Sequence, residues 1–210
     1  MEQTLPRIGV LVSGGGTNLQ AIIDAAATGV IKAQVGVVIG NKPGIFALER
    51  AERHKIPAVV IDHRRYPFAD QFSLAILDCL REHRIDLVCL AGFLRILTPA
   101  LIQAYPNRIL NIHPALLPAF GGQGMYGHHV HEAVIASGAK YSGATVHIVT
   151  TETDAGPIIT QGLVKVDDDD TPESLAAKVL QVEHRIYPEA IEMVLEDKIE
   201  IDGLRVKIKG

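Results

Sequence analysis

Three short stretches of this chain hold residues whose types and spacing suit chemistry. The first is Asn111-Ile112-His113-Pro114, which closes an apolar run from Ile109 to His113. Period-two alternation in a strand puts Asn111 and His113 on one face and Leu110 and Ile112 on the other. Proline stops the ladder, so both polar side chains stand at the strand's carboxyl end. An amide donor beside an imidazole can stabilise a developing oxyanion and manage a proton. A hydrogen-bonded core histidine, with Asn111 holding a turn, accounts for the pair alone equally well. The second stretch is Ser13-Gly14-Gly15-Gly16-Thr17-Asn18, and the third is Asp154-Ala155-Gly156-Pro157. Taken alone, Asp154 reads as a turn residue.

The glycine run joins an apolar stretch, Arg7 to Val12, to a helical pattern carrying Leu19, Ile22, Ile23 and Ala26. Glycines there let backbone N–H groups converge, and a helix N-terminus adds positive partial charge; both favour a phosphate. Thr17 and Asn18 add side-chain donors and are good helix caps. A phosphate-binding P-loop would need Gly-Lys-Ser/Thr, and no lysine is present. A dinucleotide fingerprint needs glycine or alanine where Leu19 stands, and an acid after the second strand, where Gly40-Asn41-Lys42 has none. NAD is therefore disfavoured, leaving a phosphomonoester or a tight turn with no ligand.

These stretches need a frame. Strand-like runs (Val35 to Ile39, Ala58 to Ile61, Leu87 to Ala91) alternate with helical patterns (Ile45 to His54, Phe68 to Arg84). That alternation predicts an α/β fold, a doubly wound, mostly parallel, Rossmann-like sheet with ligands at the strands' carboxyl ends. The second half departs from it. A proline- and glycine-rich loop spans Pro114 to Gly127, and a short helix covers Val130 to Ser137. Tyr141 to Val149 and Ile158 to Val166 read as antiparallel additions. A long helix covers Thr171 to Leu195, and Lys198 to Ile208 reads as a terminal hairpin. No linker or internal repeat divides the 210 residues, so one domain is expected, with a phosphate-binding half (1–105) and a catalytic half (106–210).

Bulk properties narrow the partners. The chain is 48% hydrophobic and 21% charged, with net charge −4. No basic stripe is present to replace nucleic-acid counterions. No apolar run is long enough to span a membrane, and no signal pattern opens the chain. Cys79 and Cys89 read as buried reduced thiols. A cytoplasmic protein acting on small molecules, as monomer or homodimer, is the expectation. His128, His129 and His131 invite a metal, but no acid or cysteine stands at a recognised spacing, so no metal is expected. The run Asp167 to Asp170 before Thr171-Pro172 fits helix capping.

In combination, the motifs resemble the folate-dependent formyltransferases. Leu110-Asn111-Ile112-His113-Pro114-Ala115-Leu116-Leu117-Pro118 resembles that family's signature. Ser13 to Gln20 resembles the phosphate loop of its glycinamide ribonucleotide branch. Ala91-Gly92-Phe93-Leu94-Arg95-Ile96-Leu97 is similar to its pterin-pocket segment, and Asp154 to Pro157 to its catalytic-aspartate loop. The segments keep the family's order across nearly the whole chain.

The resemblance implies formyl transfer from 10-formyltetrahydrofolate to the amine of glycinamide ribonucleotide. It assigns catalysis to Asn111, His113 and Asp154, with the Asp154 carboxylate raising the His113 pKa. It assigns the ribonucleotide to Gly14, Gly15, Gly16, Thr17, Asn18 and Glu183. It assigns the folate to Leu94, Arg95, Ile96, Leu97, Thr150, Thr151 and Glu152. Glu183 and Arg95 read equally as solvated charges. The alternative is a 10-formyltetrahydrofolate hydrolase, but that branch carries an N-terminal regulatory domain, and the first strand here starts at about Arg7. The loop Phe120 to Gly127 is longer and richer in glycine than the family form, as a lid or a plain connection.

Overall fold

Residues 5–209 are described by a computed structural model. Runs of valine, isoleucine and leucine form β1 (Arg7–Val12), β2 (Gln34–Gly40), β3 (Ala58–Val60), β4 (Leu87–Leu90) and β5 (Ile109–His113). These five are parallel neighbours in the order β3-β2-β1-β4-β5. β6 (Tyr141–Ile148) and β7 (Ile158–Lys165) extend the sheet past β5 in antiparallel sense, completing seven strands. The connections reverse direction between β1 and β4, and such a switch point opens a crevice at the carboxyl ends. A separate hairpin, β8 (Ile199–Asp202) and β9 (Arg205–Ile208), turns at Gly203.

Alternation within the strands sends side chains to two cores. On one face Ile8, Val10, Val12, Leu110, Ile112 and Val146 pack under α1 (Thr17–Ala27), α2 (Phe46–Arg53), α5 (His128–Ser137) and α6 (Pro172–Leu195). On the other, Leu11, Val37, Ile39, Val88 and Ile109 pack under α3 (Ala69–Glu82) and α4 (Pro99–Ala104). α3 buries Phe72, Ile76 and Leu80, one residue per turn. α4 and a 3-10 turn at His63–Arg65 are additions to the predicted elements, too short to show a periodicity.

α6 ties the molecule together. It begins at Thr171, whose hydroxyl accepts from the Ser174 amide while the Ser174 hydroxyl accepts from the Thr171 amide. Asp167 and Asp170 sit before it and pair with Lys178 at 2.8 and 2.7 Å. The helix packs against α1, β6 and β7. Its Tyr187 hydroxyl, fully buried, is shared between the carbonyls of Leu90 (3.0 Å) and Leu110 (3.1 Å), one on each of β4 and β5. The last long helix thus packs on the first. Among the described residues, no helix is long and apolar enough to cross a membrane.

Candidate active site

β5 delivers Asn111 and His113 on the face opposite Leu110 and Ile112, as alternation requires. The β5–β6 register sets Asn111 directly across from His147. The His147 Nδ1 lies 3.0 Å from the Ile148 carbonyl, which only accepts, so that nitrogen carries the hydrogen. Nε2 is left with a lone pair, and it accepts from the Asn111 amide at 3.1 Å. An amide nitrogen has two hydrogens. One is held by His147, which fixes the plane of the group and leaves the second for a ligand.

Asp154 comes from the β6–β7 turn, in a left-handed conformation (φ 54). Its Oδ2 accepts from the Gly122 amide at 3.0 Å and lies 3.6 Å from His113 Nδ1; its Oδ1 lies 3.6 Å from His147 Nε2. Burial pushes its pKa up, but the neighbouring His147, the Gly122 amide and the His113 imidazole outweigh this, and the net shift is down. Asp154 is therefore ionised at neutral pH.

His113 corrects an expectation. Its pKa is lowered, not raised. Burial dominates, and the Asp154 carboxylate and the Phe120 carbonyl offset it only in part; His147 lowers the value further. The ring is neutral at pH 7. Its Nε2 donates to the Phe120 carbonyl at 2.8 Å, so the lone pair is on Nδ1, the Asp154 side.

The glycine run turns between β1 and α1. Gly16 is the residue before the helix, at φ 73, and no side chain caps α1. Thr17 and Asn18 lie inside the helix, so neither fills the expected capping role. The first-turn amides remain open, at the positive end of the helix. The turn is braced from behind: the Ala47 amide donates to the Gly14 carbonyl (3.1 Å) and Arg50 Nε to the Gly15 carbonyl (2.8 Å). The Gly14 and Gly15 carbonyls are thus both held by α2. The Ser13 hydroxyl accepts from the Leu94 amide at 2.9 Å, linking this turn to the segment after β4.

Glu183 is buried, which removes the solvated-charge reading. It accepts from Asn18 Nδ2 at 2.9 Å, and burial raises its pKa to about 7. In the segment after β4, Leu94 and Ile96 are exposed apolar side chains, 51% and 77% accessible, and Arg95 is exposed; Leu97 is buried in the α3/α4 core. Thr151 and Glu152 are exposed in the β6–β7 turn, and Thr150 is half-buried, its hydroxyl donating to the Glu152 carbonyl. The Pro114 to Gly127 loop is stitched down. The Thr145 hydroxyl donates to the Ala115 carbonyl (2.6 Å), Gln161 Nε2 to the Leu117 carbonyl (3.0 Å), and Gly122 to Asp154.

A cavity of about 490 Å³ lies beside these parts, with Asn111, His113 and Asp154 outside its lining. Its wall includes Asn18, Leu94, Ile112, Pro114, His131 and Glu183. It runs from the first turn of α1 to the residues flanking His113. A larger open hollow, about 900 Å³, lies at the opposite, amino end of the parallel strands beside Arg7, Gln34 and Arg108 and contains none of the groups above. Sequence reasoning overlooked His147. The signal was a lone histidine inside an otherwise apolar strand run, but its pairing with Asn111 depends on the antiparallel β5–β6 register.

Comparison with known proteins agrees with this geometry. Residues 6–191 match the family described as formyl transferase. The chain is 43% identical over 200 residues to the chloroplastic phosphoribosylglycinamide formyltransferase of Arabidopsis thaliana, covering 95% of this chain and 68% of that protein. The crystal structure of glycinamide ribonucleotide transformylase 1 from Symbiobacterium toebii superposes with a TM-score of 0.94 at 44% identity, over 100% of this chain and 96% of that one. A formyltetrahydrofolate deformylase from Pseudomonas syringae pv. tomato gives a TM-score of 0.89 at 25% identity, over 100% of this chain and 67% of that one. The family match covers most of the chain, in the order of elements that builds the crevice, and so this chain belongs to the formyl transferase family.

Proposed function

We propose that this protein transfers the formyl group of 10-formyltetrahydrofolate to the amine of glycinamide ribonucleotide, giving formylglycinamide ribonucleotide in de novo purine (IMP) biosynthesis. The observation that carries the proposal is the cavity whose wall runs from Asn18 at the start of α1, with its Glu183 partner, to Ile112 and Pro114 at the end of β5. A water-using enzyme needs no phosphate-binding turn or buried carboxyl there.

In this reading Gly14 to Asn18 hold the substrate phosphate on backbone amides and side-chain donors. Glu183 accepts from the ribose hydroxyls. Leu94, Arg95, Ile96 and the backbone of Leu97 (its side chain is buried in the α3/α4 core), with Thr150, Thr151 and Glu152, hold the folate, the exposed Leu94 and Ile96 supplying apolar cover for a flat ring. The folate supplies an activated formyl group on nitrogen. The attacking amine forms its bond to the formyl carbon, and the bond from that carbon to the folate nitrogen breaks. Asn111 donates its free amide hydrogen to the carbonyl oxygen as it gains charge. His113, starting neutral, takes up the amine's proton as charge develops, and Asp154 stabilises the imidazolium so formed. The pair then returns the proton to the departing folate nitrogen. One proton moves, and no net acid or base is consumed. We place the reaction in the cytoplasm, in a chain that works as one domain.

The second reading, a 10-formyltetrahydrofolate hydrolase, is favoured by the deformylase likeness, but at 25% identity against 44% for the transformylase. Incubation with 10-formyltetrahydrofolate, with and without glycinamide ribonucleotide, separates the two. Release of the formyl group that depends on the ribonucleotide is expected. Equal release in both establishes the hydrolase.

A further inference from the structure

One polar side chain in the cavity wall has no role in the account above. α5 opens with His128-His129-Val130-His131. His128 and His131 are three residues apart, share a helix face, and both line the cavity. His129 is on another face, exposed, with Nδ1 3.1 Å from Glu132. His128 is also exposed, 3.5 Å from Glu132 and from Glu173. His131 differs from both. It is 5% exposed, and its Nδ1 is buried with no hydrogen-bond partner. A buried imidazole nitrogen without a partner destabilises the fold. Valine or leucine would fill a helix position beside Val130 and Val134 without that cost.

The surroundings define the missing partner. Burial, with His128 and His113 nearby, holds the ring neutral. A neutral imidazole presents one N–H and one lone pair. It suits an uncharged group that both donates and accepts, rather than a phosphate or carboxylate. His131 lines the same cavity as Asn18 and Glu183, which meet at one hydrogen bond, and Pro114, which follows the end of β5.

We propose that His131 is a substrate-binding residue, which hydrogen-bonds the amide linkage of the ribonucleotide between its sugar and its reacting amine. The proposal rests on the ribonucleotide reading of the cavity. Its consequence is positional. With the phosphate held at α1 and the sugar at Glu183, a hydrogen bond at the amide fixes the last rotatable segment and aims the amine at the end of β5.

His131→Leu and His131→Gln, compared with the unaltered enzyme, test it. The readouts are KM for each substrate, kcat, and thermal midpoint. His131→Leu removes the unpartnered nitrogen, so its midpoint is expected to hold or rise. Its KM for glycinamide ribonucleotide is expected to increase at least tenfold, with KM for 10-formyltetrahydrofolate within twofold. His131→Gln, which keeps a donor and an acceptor, is expected to recover part of the loss. An unchanged ribonucleotide KM in His131→Leu overturns the proposal. So does a KM increase that His131→Gln does not relieve, or one that merely tracks a falling midpoint. If the unaltered enzyme neither binds nor uses the ribonucleotide, the function itself is wrong, a result distinct from a working enzyme indifferent to residue 131.

Discussion

Asn18 and Glu183 are 165 residues apart in the chain, yet the Asn18 amide nitrogen donates to the Glu183 carboxyl at 2.9 Å, inside a buried contact between α1 and α6. One hydrogen bond does not offset the burial of a carboxylate, and the Glu183 pKa rises to about 7. A carboxyl raised on folding is more readily protonated in the folded state. Its penalty is absent below its ordinary value of 4.5 and is fully felt above about 7, so stability falls as pH rises through that window. The change is on the order of 3 kcal/mol. Denaturant titrations at pH 5 and pH 8 are expected to show this decline, and Glu183→Gln is expected to flatten it. The same substitution raises KM for the ribonucleotide if the carboxyl holds the sugar.

His113 and Asp154 both titrate below their ordinary values, so at neutral pH the imidazole is neutral and the carboxylate ionised. Ring-labelled NMR is expected to place His113 below 6.5 in the free protein. Asp154→Asn removes the one charged group that raises it and should move it lower still. Stability linked to His113 is present above 6.5 and is lost as pH falls toward its folded value. A value well above 7 would leave the imidazole charged at neutral pH and sink the proton-accepting role given to the neutral ring.

The Asn111–His147 hydrogen bond gives a graded set of variants. Asn111→Ala removes the oxyanion donor and is expected to lower kcat by about 10²–10³. His147→Leu leaves the donor in place but unoriented, and should lower kcat by about 10-fold, a smaller loss because the amide still samples the productive plane. Single-turnover formyl transfer measures both. An equal loss in both variants would mean that His147 touches the reacting atoms itself.

Two glycines of the phosphate turn should respond differently. A Cβ on Gly16 would meet the Ala47 Cβ at 2.7 Å, at a left-handed φ of 73. Gly16→Ala is expected to cost about 1–3 kcal/mol of stability. A Cβ on Gly14 meets nothing within 4 Å. Gly14→Ala should fold normally, so a higher ribonucleotide KM in that variant reports on phosphate contact rather than strain. Thermal melts beside steady-state kinetics separate the two effects.

Tyr187→Phe deletes the hydroxyl shared by the Leu90 and Leu110 carbonyls. Those carbonyls would be left with one fewer donor in a dry core, at a cost of about 1–2 kcal/mol. Guanidinium unfolding measures it, and a neutral result would show that the strand ladders already satisfy both oxygens.

Much of this protein is local, and local features were legible in the sequence. Alternation placed Asn111 and His113 on one face of β5 before any coordinates, because side chains along a strand point to opposite sides in turn. The parallel half followed from alternating strand and helix patterns, and the start of α6 from Thr171 and Pro172. Glu183 was also half legible. It falls in the buried stripe of Val179, Ile186 and Tyr187, where a solvated charge does not belong.

Tertiary structure decided what depends on distance and surroundings. Whether His113 is charged turns on a balance between burial and a carboxylate 41 residues away in sequence, and the sequence shows the carboxylate but not the burial. His147 meets Asn111 only because β6 pairs antiparallel with β5 in one register. Glu183 meets Asn18 only because α6 lies on α1. The sequence by itself determined which groups stand at the ends of which elements, since spacing along a strand or helix is set by the backbone. Only the packed structure decided their partners and protonation, since those depend on the dielectric and the neighbours that other parts of the chain bring.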